Sequence, residues 1–181
     1  MMNLDGVGKI YFTAGQIRQR IDEISHDINR DYNGKELVIV SVLKGSLYFV
    51  ADLTRHLTMP LNIDFLSIGL YPESSGKSGI RIKKDLDIDL KGRHVLLVED
   101  VIGTGFTLGY ICQHLESFQP TSLKICTLLD NPAERLITIK IDYSCFTMPD
   151  VFLVGYGLDY NEKYRNLPYI AEYRGQKPFL L

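Results

Sequence analysis

The chain has 181 residues, 45% apolar and 23% charged, with 20 basic against 22 acidic side chains and a net charge of −2. At about 150 residues per domain this predicts one domain with a sizeable core, too short for two enzymes in tandem. The balanced charge argues against a dedicated nucleic-acid binder and the apolar content against wholesale disorder, and no apolar run approaches the roughly 20 residues of a membrane span.

Met1 to Lys9 has neither a basic leader nor an apolar h-region, so it does not read as a signal peptide. Thr13-Ala14-Gly15-Gln16 has capping-box spacing, and Ile17, Ile21, Ile24 and Ile28 recur at helical spacing. A helix is expected from Thr13 to about Tyr32, stopped by Asn33-Gly34. Leu37 to Val42 is an unbroken run rich in β-branched residues, suited to a strand covered on both faces. Lys44-Gly45-Ser46 turns into a second helix, about Leu47 to Leu57, and Leu61 to Ile68 reads as a second strand. Gly69 to Gly79 holds Pro72, Gly76 and three serines without periodicity, which predicts a flexible loop of roughly ten residues, long enough for a lid. A short strand over Ile80 to Lys84 and a charged turn from Asp85 to Gly92 follow. Val95 to Val98 is the clearest buried strand. Gly105 to Phe118 is expected as a helix, and Leu123 to Leu129 and Ile139 to Phe146 as strands, with weaker strands at Val151 to Val154 and Tyr169 to Tyr173. Strands alternating with helices imply an α/β fold with a doubly wound, mostly parallel sheet. Cys112, Cys126 and Cys145 fit neither a disulfide framework nor a zinc knuckle, and read as small core residues of a reducing cytoplasm.

The chemistry concentrates in Val95-Leu-Leu-Val-Glu99-Asp100-Val101-Ile102-Gly103-Thr104-Gly105-Phe106-Thr107. A buried strand runs into two adjacent carboxylates, then into a Gly-Thr-Gly turn that opens a helix. Ligands collect at the carboxyl ends of strands in such sheets, and a helix N-terminus offers free N–H groups and a positive dipole end. Glycines let the backbone approach a phosphate, and the threonines add hydroxyl donors. No Gly-Lys-Ser/Thr is present, and Gly103, Gly105 and Gly109 miss dinucleotide spacing by one residue. Glu-Asp alone would read as an exposed acidic turn. Attached to this turn, the pair suits ribose hydroxyls and a magnesium ion.

The sequence here resembles the type I phosphoribosyltransferases, and among them the hypoxanthine-guanine phosphoribosyltransferases, over about Ile39 to Arg165. Ser41-Val-Leu43-Lys44-Gly45-Ser46 is similar to the family's pyrophosphate loop, which implies a cis Leu43–Lys44 peptide. The stretch around Tyr71 resembles its lid. The Glu99-to-Thr107 segment is the third match, and the fourth and most specific is Met148-Pro-Asp-Val-Phe152-Leu153-Val-Gly-Tyr-Gly-Leu-Asp159 on to Arg165, similar to the purine-binding segment. The resemblance implies that Phe152 stacks on a purine and that the Leu153 backbone bonds its edge. It implies that Asp159 serves a magnesium ion or the purine, and that Arg165 and Lys44 meet pyrophosphate. Residues 99–107 would bind the ribose phosphate, with Glu99 and Asp100 also toward magnesium. The substrates implied are phosphoribosyl pyrophosphate and a purine base, and the assembly a homodimer or homotetramer, with no nucleic-acid or membrane partner. A core of about 37–147, a hood from about 1–12 and 148–181, and a lid of about 69–79 are expected.

Three positions depart from the family. Gly103 stands where the family has an acid, the presumed general base at purine N7. Asn131, in Leu128-Leu-Asp-Asn-Pro132, replaces a lysine that meets the purine 6-oxo group, and Leu70 precedes Tyr71 in place of a serine. A general base contributes about 10²–10⁴-fold, so slow turnover is expected. Asp100 and a bound water are the nearby replacements. A nucleotide-binding paralogue with little catalysis and a transferase for another base remain as alternatives.

Overall fold

Thr13 caps the first helix as its spacing predicts: its Oγ1 accepts from the Gln16 N–H at 3.3 Å, and the Gln16 side chain accepts from the Thr13 N–H at 2.9 Å. This computed structural model describes residues 5–72 and 78–175. In chain order the elements are β1 (Val7–Phe12), α1 (Ala14–Asp31), β2 (Leu37–Leu43), α2 (Leu47–Arg55), β3 (Leu61–Pro72), β4 (Ser78–Lys84) and β5 (His94–Ile102). Then come α3 (Phe106–Ser117), β6 (Ser122–Asp130), a 3₁₀ turn at Pro132–Glu134, β7 (Tyr143–Thr147), β8 (Leu153–Val154) and β9 (Ile170–Tyr173).

The main sheet has the order β4-β3-β2-β5-β6-β7, parallel except for the antiparallel β3–β4 edge. Alternation along the central strands builds two cores. Ile39, Leu96 and Val98 face the isoleucines of α1 and Phe49 and Leu53 of α2. Val38, Val40, Val95 and Leu97 face Leu108, Ile111 and Leu115 of α3. Helices therefore cover both faces, and the expected doubly wound α/β sheet is present. The chain leaves β2 toward β3 but leaves β5 toward β6, so the strand order reverses between β2 and β5. Their carboxyl ends open a crevice there.

A separate antiparallel sheet, β1-β9-β8, joins the two ends of the described chain. β1 was not expected from sequence. Its pattern is weak and its partner lies about the length of the chain away, so only long-range pairing reveals it. The expected strand Ile139–Phe146 begins only at Tyr143. Ile139 and Ile141 pack on the α3 side without joining a ladder, and Asp142 starts β7 by exchanging hydrogen bonds with Ile125. The expected loop of Gly69 to Gly79 is partly strand: β3 and β4 pair through Tyr71↔Gly79 and Pro72↔Ser78, and the rest of the expected lid, residues 73–77, lies outside the described residues. The three cysteines are free; Cys126 and Cys145 are buried, and burial raises the thiol of Cys145 to about 12 and that of Cys112 to about 11.

Candidate active site

A cavity of about 460 Å³ occupies the crevice at the strand reversal. Its walls are the Leu43-Lys44-Gly45 loop, the unbroken run 99–105 with Thr107, and Asp159 and Arg165. Most of the residues singled out in sequence thus meet in one place.

The β5–α3 loop is held from behind. The carbonyl of Ile102 accepts from the Asn131 N–H at 2.9 Å and the Arg135 guanidinium at 3.2 Å, and the Gly103 carbonyl accepts from Arg135 Nε at 2.8 Å. The Thr104 carbonyl accepts from the N–H groups of Leu136 and Ile137. Arg135 is itself ion-paired with Asp130. In a planar trans peptide the N–H points opposite its C=O. Turning three consecutive carbonyls onto the 131–137 strap therefore aims the N–H groups of Gly103, Thr104 and Gly105 the other way. Gly105 caps α3 in the left-handed conformation, φ 91°, without a side-chain cap of its own; the Phe106 N–H has only a long contact with Thr104 Oγ1 at 3.4 Å, so the start of α3 can offer N–H groups to an anion. The side chain of Phe106 is 55% exposed and is not part of the cavity wall.

Glu99 is buried and Asp100 half-buried at the end of β5. Burial, with Asp100 beside it, pushes the Glu99 carboxyl well above the usual carboxylate range, and burial raises Asp100 too. Such a pair gains from a cation or from hydroxyl donors. Among the described residues no set of three or more His, Cys, Asp or Glu side chains is arranged to hold a metal, so Glu99, Asp100 and Asp159 do not form a ready-made ligand set.

Across the crevice the Leu43–Lys44 peptide is cis, as the resemblance implies. A Cβ on Gly45 would stand 1.6 Å from Asp100 Oδ2, and one on Gly157 1.9 Å from the Gly45 carbonyl oxygen. Only glycine lets these three segments close on one another. Beyond Gly157, Asn161, Glu162 and Tyr164 adopt left-handed conformations, φ 49° to 74°. This cramped turn brings Arg165 back onto Asp159 at 2.8 Å and onto the Gly157 carbonyl at 2.8 Å. Glu162 bridges both cations of this wall, Lys44 at 2.9 Å and Arg165 at 3.3 Å. The Asp159 carboxylate also accepts from the Glu162 N–H at 2.8 Å, while Arg165 Nε is buried without a partner among the described residues.

Phe152, half-buried, meets Tyr160 and Tyr173 edge-on, with centroids 6.2 Å and 6.3 Å away. Leu153 is buried in β8, and Asn131 is 7% exposed with one long contact to the Met148 sulfur at 4.0 Å. These three do not line the cavity described above. The backbone of Tyr71 belongs to β3; its side chain lies outside what is described. Arg135, Glu134 and Glu162 were not singled out in sequence. The first two come one residue after the flagged Asp-Asn-Pro, and Glu162 lies between the flagged Asp159 and Arg165, but a solvated surface charge gives the same local signal.

With this geometry in view, comparison with known proteins is decisive. The model of the phosphoribosyl transferase domain matches residues 8–161. The chain belongs to the phosphoribosyltransferase family. It is 43% identical over 166 residues to a hypoxanthine-guanine phosphoribosyltransferase of Streptococcus pneumoniae, covering 91% of this chain and 92% of that one. It is 43% identical over 172 residues to the Mycobacterium tuberculosis protein of the same name, covering 91% and 85%. Among solved structures, a Staphylococcus aureus hypoxanthine phosphoribosyltransferase superposes with TM-score 0.89 at 39% identity, covering 96% of each chain. A Bacillus anthracis hypoxanthine-guanine phosphoribosyltransferase gives 0.86 at 41%, covering 92% of this chain and 98% of that one. The chain is thus a phosphoribosyltransferase of the purine-salvage type, an enzyme of the pentosyltransferase class.

Proposed function

We propose that this phosphoribosyltransferase joins hypoxanthine or guanine to the ribose of 5-phosphoribosyl 1-pyrophosphate, giving the nucleoside 5'-monophosphate and pyrophosphate. The observation that carries this reading is the pairing of two anion sites across one crevice, the N–H cradle of Gly103 to Gly105 on one side and Lys44 with Arg165 on the other. A substrate with a phosphate at one end of a ribose and a pyrophosphate at the other matches that span. Glu99 and Asp100 stand between the two sites and suit the ribose diol. Positive groups placed where pyrophosphate gains charge supply the larger part of such catalysis.

Magnesium typically takes one or two carboxylates and completes its shell with water and substrate phosphates. Asp100 and Glu99, raised by burial, fit that role, and Asp159 fits as an oxygen donor already oriented by Arg165. Bound there, the ion would neutralise charge on pyrophosphate. Phe152, Leu153 and Asn131 would form the base subsite beyond the cavity wall. Asn131 supplies an uncharged donor and acceptor where the family has a lysine. A cytoplasmic location and a homodimer or homotetramer complete the proposal; free thiols support the first, and among the described residues no helix is long and apolar enough to cross a membrane.

Assay of the purified chain with magnesium, phosphoribosyl pyrophosphate and hypoxanthine, guanine, xanthine or adenine tests this. Nucleotide formation with a 6-oxopurine is expected. Binding of the ribose donor without turnover of any base would instead favour a nucleotide-binding paralogue, the reading that Gly103 supports.

A further inference from the structure

Bond formation at N9 of a purine leaves a proton that some group must take. Three of the four acids of the crevice on the pyrophosphate side are already engaged, and the fourth is buried. Asp100 lies against Gly45 and accepts from the Val101 N–H; Asp159 holds Arg165; Glu162 holds Lys44 and Arg165; Glu99 is buried in the strand. One further carboxylate reaches the loop from the opposite side. Glu134 Oε2 lies 3.1 Å from where a Cβ on residue 103 would stand, so this carboxylate sits in contact with the space a side chain at 103 would enter. Glu134 forms no ion pair among the described residues. Its backbone is fixed on both flanks, because the N–H groups of Asn131 and Leu136 bond the Ile102 and Thr104 carbonyls and Arg135 bonds Ile102 and Gly103. Gly103, having no side chain, leaves the space open.

We propose that Glu134 is the general base of this enzyme, delivering from the 3₁₀ turn the carboxylate that position 103 lacks. The inference rests on the transferase reading above. In the step, N9 of the N7–H tautomer attacks C1' of the ribose with its lone pair. The C1'–O bond to pyrophosphate breaks, and its electron pair leaves on pyrophosphate. The N7 proton passes to the Glu134 carboxylate and from there to solvent, so the nucleotide leaves neutral at N7. A base placed by a neighbouring turn contributes as one on the loop does, provided it reaches the proton.

The test compares kcat, KM and the pH profile of the wild-type chain, Glu134→Gln, and Glu134→Gln combined with Gly103→Asp. The assignment predicts that Glu134→Gln lowers kcat by about 10²–10⁴-fold, with nucleoside monophosphate affinity unchanged. It also predicts that the single variant loses the acid limb of kcat/KM, and that the added aspartate restores both rate and limb. An active wild type with an equally active Glu134→Gln overturns the Glu134 assignment alone. So does a loss carried by nucleotide affinity rather than kcat, or one that Gly103→Asp leaves unrepaired. A wild type inactive with every purine overturns the transferase reading and this assignment together.

Discussion

The two walls of the crevice proposed to bind anions are built by opposite means. The loop proposed to hold phosphate is fixed through backbone carbonyls, three in succession, each bonded to a strap that Arg135 ion-pairs to Asp130 at the end of β6. The facing wall holds its cations with exposed side chains: Lys44 and Glu162 are each 65% exposed at the side chain, and Glu162 spans Lys44 and Arg165. The first arrangement presents donors that need no rearrangement when a phosphate arrives. The second offers a carboxylate placed between two cations, which under the proposed function an arriving pyrophosphate would replace. A fixed site for the end that stays and a yielding site for the end that leaves suit a group transfer.

The largest effect should come from breaking the place where the walls touch. Gly45→Ala drives a methyl into the Asp100 carboxylate. Overpacking costs typically about 1–3 kcal/mol, and here the displaced group is itself in the site. A lowered melting temperature and loss of transferase activity are expected, measured by calorimetry and nucleotide formation. Arg135→Ala removes the strap's charged donors from the Ile102 and Gly103 carbonyls. Charge-assisted hydrogen bonds contribute about 1.5–3 kcal/mol, so nucleoside monophosphate affinity should fall by about tenfold or more, while pyrophosphate affinity changes little. The smallest effect belongs to the yielding wall. Glu162→Gln removes a competing carboxylate, so pyrophosphate should bind about twofold to fivefold more tightly, as expected for an exposed pair. The gain should fade as salt rises. Equal effects of Arg135→Ala on both anions would erase the distinction between the walls.

The strands that carry this site were readable where burial on both faces leaves a continuous apolar run, as in Leu37–Leu43 and Val95–Val98, and where Gly-Thr-Gly follows such a run. Local pattern failed where apolar residues serve a purpose other than a ladder. Ile139 and Ile141 alternate as a strand would, yet they cover the α3 side while the chain serves as strap. It failed for β1, whose partner β9 comes from the other end of the described chain. The candidate site was legible from residue type for the acid pair and the glycines of the Gly-Thr-Gly turn, whereas Lys44 and Arg165, alone a turn and a solvated charge, were legible only through the family resemblance. Glu134, Arg135 and Glu162 have ordinary surface character in sequence and gain a role only from the carbonyls and cations that the fold sets beside them.

Titration calorimetry of the wild-type chain with phosphoribosyl pyrophosphate in the presence of magnesium tests the central claim most directly. Saturable binding of one molecule per chain, with the affinity lowered in Arg135→Ala, is the result expected of two anion walls sharing one ligand. No heat of binding, or binding that Arg135→Ala leaves untouched, would contradict it.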